Sequence, residues 1–271
     1  VIGLLTGEEI VTALGKHIII YPFDRQALAG TTYNLRVGRF AWLHDPSPTG
    51  LPIEPSTDGR GNLTFVIPPG TVISVLTEEA IYLDSLMGGL VHSRVGLVSR
   101  GFSHVSTIVD PTWIGPLLIT FQNCSRTPQP LRIGEALVKL TFHRLARATS
   151  IEHDNRQPGR GDWISRMGFH FPEGDEDYLT KPVNCKLGAL REAFLSSKAG
   201  VERVTWRARS TQRRWRLALI AVATLGLVLA ATSFWWLPAI FHTELGDEAL
   251  VGLVAIVASA ATYLTAQLMR R

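Results

Sequence analysis

The chain has 271 residues, a net charge of +4, 46% hydrophobic residues and only 18% charged ones, a composition that excludes a collagen-like or wholly disordered protein. Its two cysteines, Cys124 and Cys185, lie far apart with no CxxC or Cys/His ligand spacing, which excludes a disulfide-stapled secreted fold and a structural zinc site. The apolar excess sits near the C-terminus, so the remainder reads as one globular domain.

In chain order, VIGLLTGEEIVTALGKHIII opens with acidic residues where a signal peptide would be basic, so no export of this part is expected. Thr6 and Glu9 form an [ST]xxE capping box ahead of Ile10, Val11 and Leu14, which predicts a short helix over 7–15. The runs IIIYPF, YNLRVGRF, LTFVI, TVISVL, AIYL, GLVHSRVGLV, PLLITFQN and ALVKLTF follow, β-branched or aromatic and separated by Pro, Gly, Asp and Ser. They predict a mainly β barrel or sandwich over 1–150, with the Pro/Gly-rich stretch 46–62 as an exposed loop.

Residues 151–183 read as an irregular connector. Over 184–216, Leu187, Leu190, Phe194, Val201, Val204, Ala208 and Trp215 fall on heptad a and d positions. That pattern predicts an amphipathic helical stalk, or equally a helix packed on its own β domain. Two uncharged runs, 217–241 and 249–269, each match the ~20 apolar residues needed to cross ~30 Å of hydrocarbon. Arginines flank their outer ends and Glu244, Asp247 and Glu248 lie between them, so they predict a transmembrane α-hairpin in the cell inner membrane, with both chain ends cytoplasmic. A buried hairpin is the competing reading. The arginine cluster before the first run is explained by this orientation, and no nucleic-acid partner is expected.

Taken together, GTTYNLRVG (30–38), HSRVGLVSRGF (92–102), HVSTIVDPTWIG (104–115), ITFQN (119–123) and PQPLRIGEALVKLTF (128–142) resemble, in order and spacing, the motifs of the dUTPase and dCTP deaminase superfamily. The opening helix and the "PFD" turn at Pro22–Asp24 look more like the deaminase branch. The resemblance covers roughly 4–145 and implies a β-clip or distorted jelly roll that assembles as a homotrimer or higher homo-oligomer with shared nucleotide sites. It also implies site residues. Thr120 stands where the deaminases carry their general-base Glu, and a hydroxyl cannot be a base near neutral pH. Asp110 matches the hairpin carboxylate that orients water in dUTPases, and is the one candidate base. Arg94 remains from the phosphate segment, but its two serines are Val95 and Gly96. Asn34 replaces an acidic residue that supports Mg²⁺, so no metal site is expected, and Mg²⁺ would enter only with a bound nucleoside triphosphate. Trp113 is either the aromatic cover of the sugar and base or a core residue. Gln122 and Asn123 could meet a base edge, although alternation along a strand keeps both from one pocket. His92, His104 and Cys124 read as packed side chains.

Three functional readings follow. The first is a membrane-tethered, catalytically degenerate relative that senses a nucleotide or scaffolds, coupled to a two-helix membrane effector, with an architectural likeness to bacterial anti-phage proteins. The second is an active membrane-anchored dCTP deaminase or dUTP diphosphatase. The third is a trimerisation or docking platform.

Overall fold

The computed structural model describes residues 3–44, 52–104, 106–150, 160–202 and Thr224. All but the last lie in one compact unit, Val1–Arg203. The strands are β1 (Gly3–Leu4), β2 (Ile18–Tyr21), β3 (Leu28–Ala29), β4 (Thr32–His44), β5 (Ser56–Thr57), β6 (Leu63–Ile67), β7 (Val72–Leu83), β8 (Met87–Ser93), β9 (Phe102–His104), β10 (Thr107–Val109), β11 (Ile114–Asn123), β12 (Gln129–Arg132) and β13 (Ala136–Arg144). The α-helices are α1 (Gly7–Ala13), α2 (Val95–Val98), α3 (Gly161–Arg166), α4 (Pro182–Cys185) and α5 (Leu187–Ser196). The domain is therefore mainly β, as its alternating runs predict.

One antiparallel sheet runs β10-β8-β13-β4-β7-β11-β9, with β1 added to β13, β2 to β7 and β3 to β4; β12-β6-β5 form a small second sheet. The long β4 and β7 curl the main sheet. The first half of β4 pairs with β13 and its second half with β7, and the register shifts between Val37 and Ala41. Gly38 lies at that shift, where a Cβ would come within 2.5 Å of the Leu76 carbonyl oxygen, so only glycine lets the two strands approach. At the entry, Glu9 Oε2 accepts from the Thr6 amide at 2.9 Å and Thr6 Oγ1 accepts from the Glu9 amide at 3.4 Å, the capping box the sequence predicts for α1.

Apolar clusters pack on both faces of the sheet. Ala41, Val75, Ile119 and Phe121 point into the main core, which also takes in Leu190 and Phe194 of α5. Three members of the heptad stripe, Leu187, Leu190 and Phe194, thus pack on the β domain. On the opposite face Phe40, Trp42 and Leu76 meet Ile164, Phe169 and Leu179 in a second cluster. Residues 160–181 therefore form a strap across the outer face, held by Trp42 Nε1 donating to the His170 carbonyl at 2.8 Å and by Trp42 stacked on Phe169 with ring centres 5.8 Å apart.

The inner-membrane placement read from the sequence is corrected here. Among the described residues no helix is long and apolar enough to cross a membrane. The ten-residue α5 spans about 15 Å at 1.5 Å per residue, half of what a bilayer requires. The apolar runs 217–241 and 249–269, and the stalk beyond Glu202, lie outside the described residues.

Candidate functional site

Strand alternation decides which side chains of β11 can meet a ligand. Ile119, Phe121 and Asn123 are buried inward, whereas Thr120 and Gln122 are exposed on the outer face. Ladder register aligns Trp42 of β4, Ser74 of β7 and Thr120 of β11 in one row across that face. Ser74, fully buried, brings its Oγ to 2.6 Å from Thr120 Oγ1 and 2.7 Å from His44 Nε2. The His44 ring meets Phe169 of the strap edge-on, with ring centres 5.0 Å apart. Burial pushes its imidazole below the usual histidine value, which favours the neutral form. Next to this row opens a cavity of about 300 Å³ lined by Leu118, Thr120, Arg160 and Trp163.

The other residues singled out in the sequence take different places. Arg94 turns back onto β13, where its Nη1 donates to the Ala136 carbonyl. The crevice beside it, walled by Leu97, Phe102, Phe121 and Leu137, has a volume of about 10 Å³, room for about one water. Because Phe121 and Thr120 point to opposite faces of β11, the Arg94 crevice and the Thr120 cavity open on opposite sides of the strand and share no lining residue. Gln122 is committed to the chain, its Nε2 donating to the Gly70 carbonyl at 3.0 Å. Asn123 faces inward and ties the Ile67, Pro68 and Thr127 carbonyls together, so the two neighbours do point apart.

Trp113 is 7% exposed, donates from Nε1 to the Gly115 carbonyl and belongs to the main core. Asp110 is half-buried in the β10–β11 turn, where its carbonyl accepts from the Trp113 amide at 3.3 Å. Asn34 donates from Nδ2 to the Ala27 carbonyl at 3.0 Å, while its Oδ1 is buried without a hydrogen-bond partner. That oxygen does not make a Mg²⁺ site. Lys139 stands opposite Asn34 in register, and among the described residues no three His, Cys, Asp or Glu side chains converge. A hard dication needs several oxygen ligands, with carboxylates to balance its charge.

Sequence reasoning missed His44, Ser74, Arg160 and Trp163. His44 and Ser74 are distant in sequence from Thr120 and from each other, and only register unites them. The one available signal was a serine inside the apolar run TVISVL.

Residues 4–145 match the dCTP deaminase-like family. The chain belongs to that family. It is 34% identical over 156 residues to the dCTP deaminase of Pyrococcus furiosus, covering 57% of this chain and 90% of that protein. It is 30% identical over 173 residues to the dCTP deaminase of Shewanella amazonensis, with coverages of 56% and 89%. Among solved structures, the 2'-deoxycytidine 5'-triphosphate deaminase of Agrobacterium tumefaciens aligns with a TM-score of 0.42 at 18% identity, over 53% of this chain and 48% of that one. The EIAV dUTPase aligns with a TM-score of 0.28 at 14% identity, over 42% and 98%. The dCTP deaminase-like stretch ends before the strap, so Arg160 and Trp163 come from outside the matched residues.

Proposed function

We propose that this dCTP deaminase-like domain binds a pyrimidine deoxynucleotide and acts as a nucleotide sensor or scaffold, without turning over dCTP by the carboxylate route. The observation that carries this reading is Thr120, which occupies the position the resemblance assigns to the general-base Glu and is tied at 2.6 Å to Ser74. An alcohol stays protonated near pH 7, and loss of a positioned base costs about 10²–10⁴ in rate. The phosphate segment is thinned in the same sense, with Val95 and Gly96 where serines would donate and Arg94 held by a backbone carbonyl.

The resemblance implies a homotrimer with sites shared between chains. Arg94 and Thr120 serve cavities on opposite sides of β11, so one chain does not present both to one ligand.

The test is direct. Purified protein is expected to release no measurable ammonia from dCTP under conditions where a Glu-bearing relative turns over readily, while dCTP or dUTP raises its melting temperature. A ligand at 100 times its Kd adds about 2.7 kcal/mol of stability. Robust dCTP turnover, abolished by Asp110→Asn, would overturn the sensor reading and establish the active enzyme.

A further inference from the structure

Thr120 is the cavity end of a hydrogen-bonded chain, and that chain has a direction. Ser74 Oγ has two partners, Thr120 Oγ1 at 2.6 Å and His44 Nε2 at 2.7 Å, and Ser74 is fully buried. A hydroxyl carries one proton, so only two orders keep both bonds. When His44 Nε2 accepts, Ser74 donates to it, Thr120 donates to Ser74, and Thr120 shows the cavity only lone pairs. When Nε2 carries a proton it donates to Ser74. The Ser74 proton then goes to Thr120, because a buried hydroxyl left without a partner is costly, and Thr120 turns its own proton toward the cavity.

We propose, resting on the reading of the domain as a pyrimidine nucleotide binder, that the Thr120–Ser74–His44 chain determines which exocyclic group the cavity accepts: an amino group, as on cytosine, when His44 Nε2 accepts, and a carbonyl, as on uracil, when His44 is protonated. The other lining residues suit the same class of ligand. Trp163 is 40% exposed and offers a ring for stacking, and the Arg160 guanidinium, paired through Nε with Asp162 at 3.5 Å, offers the rest of its fork to a phosphate. His44 acts through two hydroxyls and is a positioning residue.

The pH response has one sign. A neutral imidazole can hold either tautomer and so serves both groups, whereas a protonated one allows only the order in which Thr120 donates. Acidification therefore moves preference toward the carbonyl. Charged groups on the elements packed around His44 are engaged elsewhere. Glu78 on β7 pairs with Arg36 at 3.3 Å, Arg39 on β4 with Asp175 on the strap at 2.5 Å, and Arg160 with Asp162 at 3.5 Å. Burial is what lowers the His44 value.

The experiment is calorimetric titration of the full chain with dCTP and with dUTP from pH 8 to pH 5. The triphosphate groups ionise alike, so the affinity ratio cancels their contribution, and the onset of cytosine N3 protonation at the acid end is measured on free dCTP and divided out. The expected result is a dUTP:dCTP affinity ratio that rises about three- to tenfold on acidification, the worth of one hydrogen bond. Ser74→Ala is expected to bind both nucleotides with a ratio that no longer responds to pH. Thr120→Val, at an exposed position where folding is not at stake, should behave the same way. A flat ratio in the native protein with both nucleotides bound, or a shift that survives Thr120→Val, overturns the proposal and leaves the nucleotide reading intact. Binding of neither nucleotide at any pH overturns both.

Discussion

At the scale of single residues, a buried charge pair joins β4 to β7. Glu79 is fully buried on β7, with Arg36 Nε 2.7 Å from one carboxylate oxygen and the Arg36 amide 2.9 Å from the other. Burial pushes Glu79 up to about 7, against the pull of Arg36. Arg36→Ala would leave that carboxylate without its counter-charge, and breaking a buried pair costs about 3 kcal/mol or more. The sign follows from linkage. Glu79 is raised in the folded state, so its contribution is fully present below the unfolded value of 4.5 and is lost as pH rises through about 7. Removing Arg36 raises it further, so the difference between mutant and native protein should be smaller at pH 5 than at pH 8, growing as pH rises through about 7. Urea denaturation at both pH values measures it. A deficit equal at the two would mean that Glu79 stays neutral throughout.

At the scale of elements, the strap is the feature that most alters the site. Its aromatic residues close the outer face of β4, β7 and β11 and place a depressed histidine, His44, beneath Phe169. A histidine whose value is lowered on folding supplies stability above the unfolded value of 6.5 that is lost as pH falls below it, because the unfolded chain then binds a proton the folded one refuses. His104, lowered by burial and by His92, adds a term of the same sign. The melting-temperature advantage of the native protein over His44→Gln is therefore expected to shrink as pH falls from 7.5 toward 5, against the opposite contribution of Glu79, which both proteins share. An advantage that does not change with pH would assign the histidine-linked acid sensitivity to His104. Sequence patterning predicted α1 and most of the strands because capping and alternation are local. It read 151–183 as an irregular connector because Gly, Pro, Asp and Arg dominate there, and Ile164, Phe169 and Leu179 show no period. Their partners Phe40 and Trp42 lie on a strand more than a hundred residues earlier.

At the scale of the whole molecule, the two cavities bear on assembly. If the site is shared, as the resemblance implies, light scattering on the full chain should give three copies per particle, and mixing Arg94→Ala with Trp163→Ala chains should restore part of the nucleotide binding that either lacks alone. A monomer that binds nucleotide would confine the site to the Thr120 cavity and remove the role of Arg94.

The sequence by itself determined the family, the mainly β class and the capped first helix, and it sets a hydroxyl at position 120. Each of these is written in neighbouring residues or in motif order. It also showed that Gln122 and Asn123 face apart, since alternation along a strand is a property of the backbone. Only the tertiary structure decided that Trp113 is core, that Arg94 is bound to its own β13, and that residues 160–181 cover the face bearing Thr120. The His44–Ser74–Thr120 chain belongs with these. Its members sit on three strands, two of them entering the sheet from distant parts of the sequence, and a shift of one residue in either register would turn them to opposite faces.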